Sequence, residues 1–480
     1  YDCKCWESIC VPAHIQMEGY DVPQYANVQY PWDGREELEP GEIPVRFNPT
    51  ASYVKYFEVP QEMKGKTIRI SFQGVESGMA LWLNGSYVGY SEDSFTPSEF
   101  DLTPFLKEGE NKLAVQVYKW TSSSWCEDQD FFRFSGIYRS VYLYAVPSVH
   151  IEDIRVKTLF EEQDFDEAVL EVRTKAVGSG SIRYRLKDGE QVLFEREDKI
   201  VSGEQTETVS IKNAPQGSRL QEAVSGLGAG KIEFRESVQA PKLWSAEQPY
   251  LYELEIEAVG ASGEIEEYTA QKVGFRKFEM KDNRMLLNGK RIVFKGVNRH
   301  EFSSVSGRHV SYEELEKDIV TMKQNNINAI RTCHYPDDIA IYDLCDRYGI
   351  YMIAECNMET HGTWDAYLRG VAEKSFVLPG DHENWEGMML DRVNSCYQRD
   401  KNHPAILLWS CGNESFGGRT IFRMSELFRE LDDTRLVHYE GVFQDRSYDD
   451  TTDVESRMYS KVWDIEEYLK KPGARPFICC

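Results

Sequence analysis

Long apolar runs are missing from this sequence, and none approaches the roughly 18 consecutive residues that a membrane-crossing helix needs. That excludes a helical membrane protein. Positive charge is also short: 55 Lys and Arg stand against 80 Asp and Glu, a formal net charge of −25. A surface that acidic repels phosphate backbones and anionic lipid, which argues against nucleic-acid and membrane partners. Cysteine is sparse, at 11 in 480 residues, odd in number and without regular pairing. A disulfide framework is thereby excluded, and a reducing compartment, the cytoplasm, is expected. Cys3, Cys5 and Cys10 lack a matching second pair, which speaks against zinc. An initiating Met is absent too. The chain opens on Tyr1 and stops at Cys479-Cys480, so both ends read as cut and the lack of a signal peptide says little about location.

What is present is an ordinary globular composition, 41% hydrophobic and 28% charged, over a length suited to about three domains. Residues 1–149 alternate in short runs (54–59, 67–72, 80–83, 112–118, 141–145) broken by turn residues, as an antiparallel β-sandwich does. Asn84-Gly85 between two such runs predicts a tight hairpin. Residues 150–273 carry thinner, more charged strands (151–158, 167–177, 181–186, 250–258) with a glycine-rich break at 225–230, predicting a second, smaller sandwich.

From about residue 273 strand-like runs alternate with helical lengths, the pattern of βα units around a parallel sheet. Seven strands are expected at 292–296, 329–332, 351–354, 405–409, 436–439, 457–459 and 476–479. Helices are expected at 312–325, 339–348, 383–399, 420–431 and 465–470. The natural candidate for residues 274–480 is a (β/α)8 TIM barrel. Such barrels take about 250 residues, so this one reads as incomplete, ending at its seventh strand.

Active sites in this architecture lie at the C-terminal ends of the strands. Polar residues gather there: His300 and Glu301, His334, Glu355, Asn357, Glu359 and His361, Asn413 and Glu414, Glu440, and Tyr459. Singly, each is as well read as a helix cap or solvated loop; six successive strand ends together point to a site. In an extended segment Glu359 and His361 would face the same way and could share one cation, with oxygen-rich ligation suited to magnesium. His361 bound to a backbone carbonyl is the plainer alternative. Glu414 follows an apolar strand into a polar turn, where burial would raise its pKa for proton donation.

The run Asn402-His403-Pro404 through Trp409 to Gly412-Asn413-Glu414-Ser415 closely resembles the acid/base signature of glycoside hydrolase family 2, and within it the large lactose-hydrolysing β-galactosidases. Val11 to Gln16, Gly19-Tyr20-Asp21, residues 25–31, Glu127-Asp128-Gln129-Asp130, Ser135-Gly136-Ile137-Tyr138-Arg139, residues 295–301, His334-Tyr335-Pro336 and residues 357–362 match family motifs in order. The resemblance implies a sugar-binding jelly roll, an immunoglobulin-like β-sandwich and a TIM barrel. It implies that Glu414 is the acid/base and that Glu359, His361 and Glu414 ligate Mg2+. Asn27 and Asp130 would stand at the galactose site, with Asp130 also binding Na+. His300 and His334 would contact sugar hydroxyls, Asn413 the 2-hydroxyl, and Tyr459 would assist near the nucleophile.

A retaining glycosidase needs a second carboxylate about 5 to 5.5 Å from the first. The family places it directly after a seventh strand like residues 475–480, so the chain reads as stopping one residue short of it and as nearly inactive alone. Glu440 belongs to a separate Tyr-Glu-Gly motif and is a poor substitute. The expected activity of the whole is hydrolysis of terminal β-galactosides such as lactose, by a homo-oligomer. Three rivals stay open: a β-glucuronidase or β-mannosidase of the same plan, a non-catalytic carbohydrate-binding fragment, and a barrel metalloenzyme built on Glu359 and His361. The loop 363–384 matches no motif.

Overall fold

The computed structural model describes residues 2–161, 164–201 and 229–480. The break expected at 225–230 lies outside the described residues up to 228. Among the described residues the three largest hydrophobic cores correspond to three successive units of the chain.

The first core lies between a four-stranded antiparallel sheet (Thr50–Glu58, Glu110–Tyr118, Gly78–Leu83, Ser86–Glu92 in spatial order) and a three-stranded one (Val141–Val146, Thr67–Phe72, Ser98–Asp101). Strict alternation makes it: Leu113, Val115 and Val117 point inward from one strand and Met79, Leu81 and Leu83 from its neighbour. Asn84 (φ 54°) and Gly85 (φ 88°) both take the left-handed conformation that a two-residue hairpin requires.

The second core is an immunoglobulin-like sandwich of three strands (His150–Leu159, Glu167–Val177, Gly230–Gln239) on four (Gln191–Lys199, Gly180–Asp188, Tyr252–Gly260, Ile265–Val273). It braces the barrel through the Asn402-His403-Pro404 motif. The Asn402 side chain bonds both ways with the backbone of Ile154 and Val156 at 2.9 Å, and the buried Arg276 guanidinium donates to the carbonyls of Pro404 and Ile406 at 2.6 and 2.7 Å.

The third unit is a TIM-barrel domain. Five parallel strands, β1 (Gly296–Arg299), β2 (Ala329–Thr332), β3 (Tyr351–Glu355), β4 (Ile406–Ser410) and β5 (Leu436–His438), form one sheet; β6 (Glu455–Arg457) and β7 (Phe477–Cys479) form a parallel pair. Residues 452 and 453 run beside β5, where Val437 and Asp453 exchange hydrogen bonds. Strands β3 and β4 are buried on both faces, which is why they read as unbroken apolar runs. The crossover helices include α1 (Tyr312–Gln324), α2 (Ile339–Tyr348), α3 (His361–Leu368), α4 (Glu383–Asp400), α5 (Arg419–Leu431) and α6 (Val462–Leu469). A Ser311–Glu314 capping box starts α1; Asp338 caps α2, and left-handed Gly349 ends it.

Two strands depart from expectation. The first starts at Gly296 rather than 292, because the Asn328 side chain takes the Lys295 N–H and donates to the Val293 carbonyl in place of a neighbouring strand. The sixth ends at Arg457, and Tyr459 beyond it has φ 54°, a conformation that leaves the ladder. The segment 363–384 takes in most of α3 and a 3-10 turn at Lys374–Phe376, and its Trp364 and Val377 form a small core with Phe416 from beyond β4.

Candidate active site

The polar strand ends converge, and they do so in two clusters. In the first, ligand atoms of Glu359, His361 and Glu414 all lie within 4.8 Å of one another. His361 opens α3 rather than continuing an extended segment, since Thr360 (φ −136°, ψ 40°) turns the chain into the helix. The pair still converges: His361 Nδ1 is 3.1 Å from a Glu414 oxygen and 4.0 Å from Glu359. Trp364, one turn on, stacks on the imidazole at 4.9 Å and so gives the unassigned loop a task.

Glu359 is fully buried, and neither of its carboxylate oxygens has a hydrogen-bond partner. Burial and the nearby Glu414 hold its pKa well above the usual range. Burial pushes Glu414 upward too, but the imidazole beside it overrides that and leaves its pKa lowered, against the expectation of a raised one. Two orphaned carboxylate oxygens, a second carboxylate and an imidazole make a donor set that fits a hard divalent cation. The other cluster of this composition among the described residues, Asp343, Asp346 and His403, is accounted for structurally: Asp346 binds His403 at 2.6 Å and the Ala405 N–H at 2.9 Å, locking the start of β4.

The second cluster is saturated. Glu355, at the end of β3 and fully buried, accepts from Arg331 Nε at 2.7 Å, Ser410 Oγ at 2.6 Å and His334 Nδ1 at 2.7 Å. Burial alone would raise its pKa, but Arg331 and then His334 bring it down to about 2. Arg331 also donates to Asn413 Oδ1 at 3.0 Å, and Asn413 donates to Glu414 at 3.3 Å, so the two clusters are joined. His300 and His334 meet edge to face with centroids 5.5 Å apart. Burial lowers the pKa of both imidazoles, helped at His300 by the His334 ring and then Arg308 and Arg331, which bring it down to about 3, and at His334 by Arg331. Burial pushes Glu440, after β5, up to about 8, so it carries a proton at neutral pH and makes a poor nucleophile.

The jelly roll reaches into this mouth. Residues 127 and 359 pair as a parallel bridge, with backbone bonds from Glu359 to Cys126 and from Asp128 to Glu359. Asn357 donates to Asp93 and Glu127 at 3.0 and 2.7 Å, and the Asp128 carboxylate takes the Gly362 N–H at 2.8 Å. Phe131 stacks on His300 at 5.0 Å, which puts its chain neighbour Asp130 near the first two strand ends. Asp130 is exposed and accepts from the Tyr25 hydroxyl; Asn27 is exposed beside that ribbon.

His300, His334, Glu359, His361, Asn413 and Glu414 are therefore brought together; Asp130 lies in the chain between Asp128 and Phe131, which touch Gly362 and His300, while its own exposed carboxylate is bonded by Tyr25. Tyr459 is 93% exposed in the turn after β6, and no hydrogen bond or ring contact among the described residues ties it to the others. Arg331, Ser410 and His438 carried no expectation. The only sequence signal for them is a polar residue inside an apolar strand, Arg331 in Ala-Ile-Arg-Thr and Ser410 closing Ile-Leu-Leu-Trp-Ser.

Comparison with known proteins agrees with this layout. Residues 1–147 match the glycosyl hydrolases family 2 sugar binding domain, 149–276 the family 2 central domain, and 278–480 the family 2 TIM barrel domain. The chain is 49% identical to a β-galactosidase of Halalkalibacterium halodurans, all of this chain matching 45% of that protein. It is 41% identical to the β-galactosidase large subunit of Latilactobacillus sakei, all of it matching 74% of that subunit. The chain spans about half or less of the first curated relatives it matches. A solved β-glucuronidase of Bacteroides uniformis superposes with TM-score 0.77 over 99% of this chain and 56% of its own, at 20% identity, a likeness of fold.

Proposed function

The chain belongs to glycosyl hydrolase family 2, and from that premise we infer that the protein hydrolyses terminal, non-reducing β-D-galactosides such as lactose with retention. The observation that carries this reading is Glu414, held against His361 at the mouth beside the neutral His300/His334 pair. Glu414 donates its proton to the departing oxygen and then deprotonates the incoming water. Its lowered pKa in the free site favours the second task; a sugar bound over it excludes water and raises the pKa for the first. Asn413, steered by Arg331, is placed to meet the 2-hydroxyl. Asn27 and Asp130 border the sugar from the jelly-roll side, and Tyr459 belongs to the strand end beside the attacking group. The family resemblance assigns that attacking carboxylate to the residue directly after the 475–480 strand segment.

Magnesium is the ion best suited to Glu359, His361 and Glu414, and bound there it would neutralise the two carboxylates and fix the orientation of Glu414. Sodium at Asp130, a cytoplasmic location and a homo-oligomer complete the reading.

Two features favour galactosides over glucuronides. Relatives at 40–49% identity are β-galactosidases by name. Arg331, already paired with Glu355 and Asn413, is not available to bind a uronic carboxylate. The test is a side-by-side assay of nitrophenyl β-galactoside, β-glucuronide and β-mannoside with the whole protein, carried through the attacking carboxylate and the rest of the barrel, and its E414Q variant. The galactoside should lead by about 10²-fold or more; faster turnover of either other sugar overturns the sugar assignment, and an unimpaired E414Q overturns the role of Glu414.

A further inference from the structure

One fully buried carboxylate at the mouth has no part in the chemistry above. Glu355 spends both oxygens on three donors from two strands: Arg331 and His334 on and after β2, and Ser410 at the end of β4. Ser410 in turn meets His438 Nδ1 of β5 at 2.8 Å. The His334 ring keeps 14% of its side-chain surface exposed, and its Nε2 has no hydrogen-bond partner among the described residues.

A carboxylate at Nδ1 decides which nitrogen of a neutral imidazole carries the proton, and so whether the other nitrogen gives or takes a hydrogen bond. We propose that Glu355 is a positioning residue: it holds His334 as the Nδ1–H tautomer, so that Nε2 faces the sugar as an acceptor and selects a hydroxyl that donates to it. Burial and the Arg331 charge keep the ring neutral, as this requires. Through Arg331 and Asn413 the same carboxylate also sets the side chain that reaches Glu414. The tautomer assignment stands on the hydrogen bonds alone; the hydroxyl it reads rests on the galactosidase reading.

The substitution E355Q separates this role from simple packing. Arg331 Nε can only donate, so the amide oxygen must turn to it and the NH2 falls to His334. The imidazole must then accept at Nδ1 and carry its proton on Nε2, an acceptor turned into a donor. The first measurement is the tautomer of His334 by NMR of the 15N-histidine-labelled protein, expected as Nδ1–H in the wild type and Nε2–H in E355Q. The second is kcat/KM for nitrophenyl galactosides whose 3-, 4- or 6-hydroxyl is replaced by fluorine, which can accept a hydrogen bond but, unlike a hydroxyl, cannot donate one. One of these, rejected by the wild type by about 10²-fold, should regain about tenfold relative to the parent galactoside in E355Q. An Nε2–H tautomer in the wild type overturns the proposal and needs no variant that folds. A uniform loss across the fluoro series with the tautomer unchanged also overturns it and leaves Glu355 a packing residue. If the whole wild-type protein, carried through the attacking carboxylate, turned over no galactoside, the functional reading would fail, while the tautomer measurement would still decide the role of Glu355.

Discussion

Glu355 and Glu359 stand four residues apart, both fully buried, yet they are opposites. Glu355 is met by three donors, Arg331 among them, and stays ionised with its pKa down at about 2. Glu359 has no hydrogen-bond partner for either oxygen, faces Glu414, and has its pKa pushed far up. Burial alone therefore does not set the charge of a carboxylate; the donors around it do. The saturated glutamate braces the barrel. The unsatisfied one is suited to a cation, and that is the ground for the ligand role proposed for it.

Four experiments would break or sharpen this contrast. The largest effect is expected beside the unsatisfied cluster, where Glu414→Gln should lower kcat on nitrophenyl galactoside by about 10³-fold. A loss under tenfold would take Glu414 out of the chemistry. Next, Glu355→Ala leaves the Arg331 guanidinium buried without its carboxylate and should cost about 3 to 5 kcal/mol in denaturant unfolding of the barrel. A cost below about 1 kcal/mol would mean that Arg331 finds another anion.

The third test is pH. The folded pKa of Glu355 lies below its unfolded value of about 4.5. Its contribution is therefore complete above about pH 4.5 and lost as the pH falls toward 2, roughly 3 kcal/mol in all. Glu359, with its pKa raised in the ion-free fold, has the opposite sign: there, stability falls as the pH climbs above about 4.5. Acid titration of E355Q should lack the first limb, and alkaline titration of E359Q in chelator the second. The smallest effect is on the ion-free protein, where Glu359→Gln should raise stability by about 1 to 2 kcal/mol at neutral pH, because the buried carboxyl has to take up a proton on folding and the amide does not. The same change should abolish the rise in Tm on adding magnesium; a rise that persists would move the ion elsewhere.

Much of this was legible in the sequence for a local reason. Alternation such as Leu113, Val115 and Val117 is written residue by residue, and so is the apolar run of β4 with Asn413-Glu414 behind it. The motif around His403 was legible as a pattern but not as a task. Its contacts reach Asp346, Ile154 and Arg276, more than 50 residues away along the chain, and they anchor β4 rather than touch substrate. The strand that was misplaced, at 292–296, failed because a single side chain, Asn328, replaced a whole neighbouring ladder.

By itself, then, the sequence determined which segments are strands and helices, where the carboxylates and imidazoles sit along them, and the family they resemble. The first two follow from short-range periodicity and spacing; the family follows from the likeness of ordered motifs such as residues 402–415. Only the tertiary structure decided which of the buried glutamates is braced and which is bare. It also decided that Phe131 and Asp128 of the first domain close the barrel mouth and that Glu414 is held below its usual pKa rather than above it. The ionisation of a buried group depends on donors arriving from other strands, and no stretch of sequence around that group carries them.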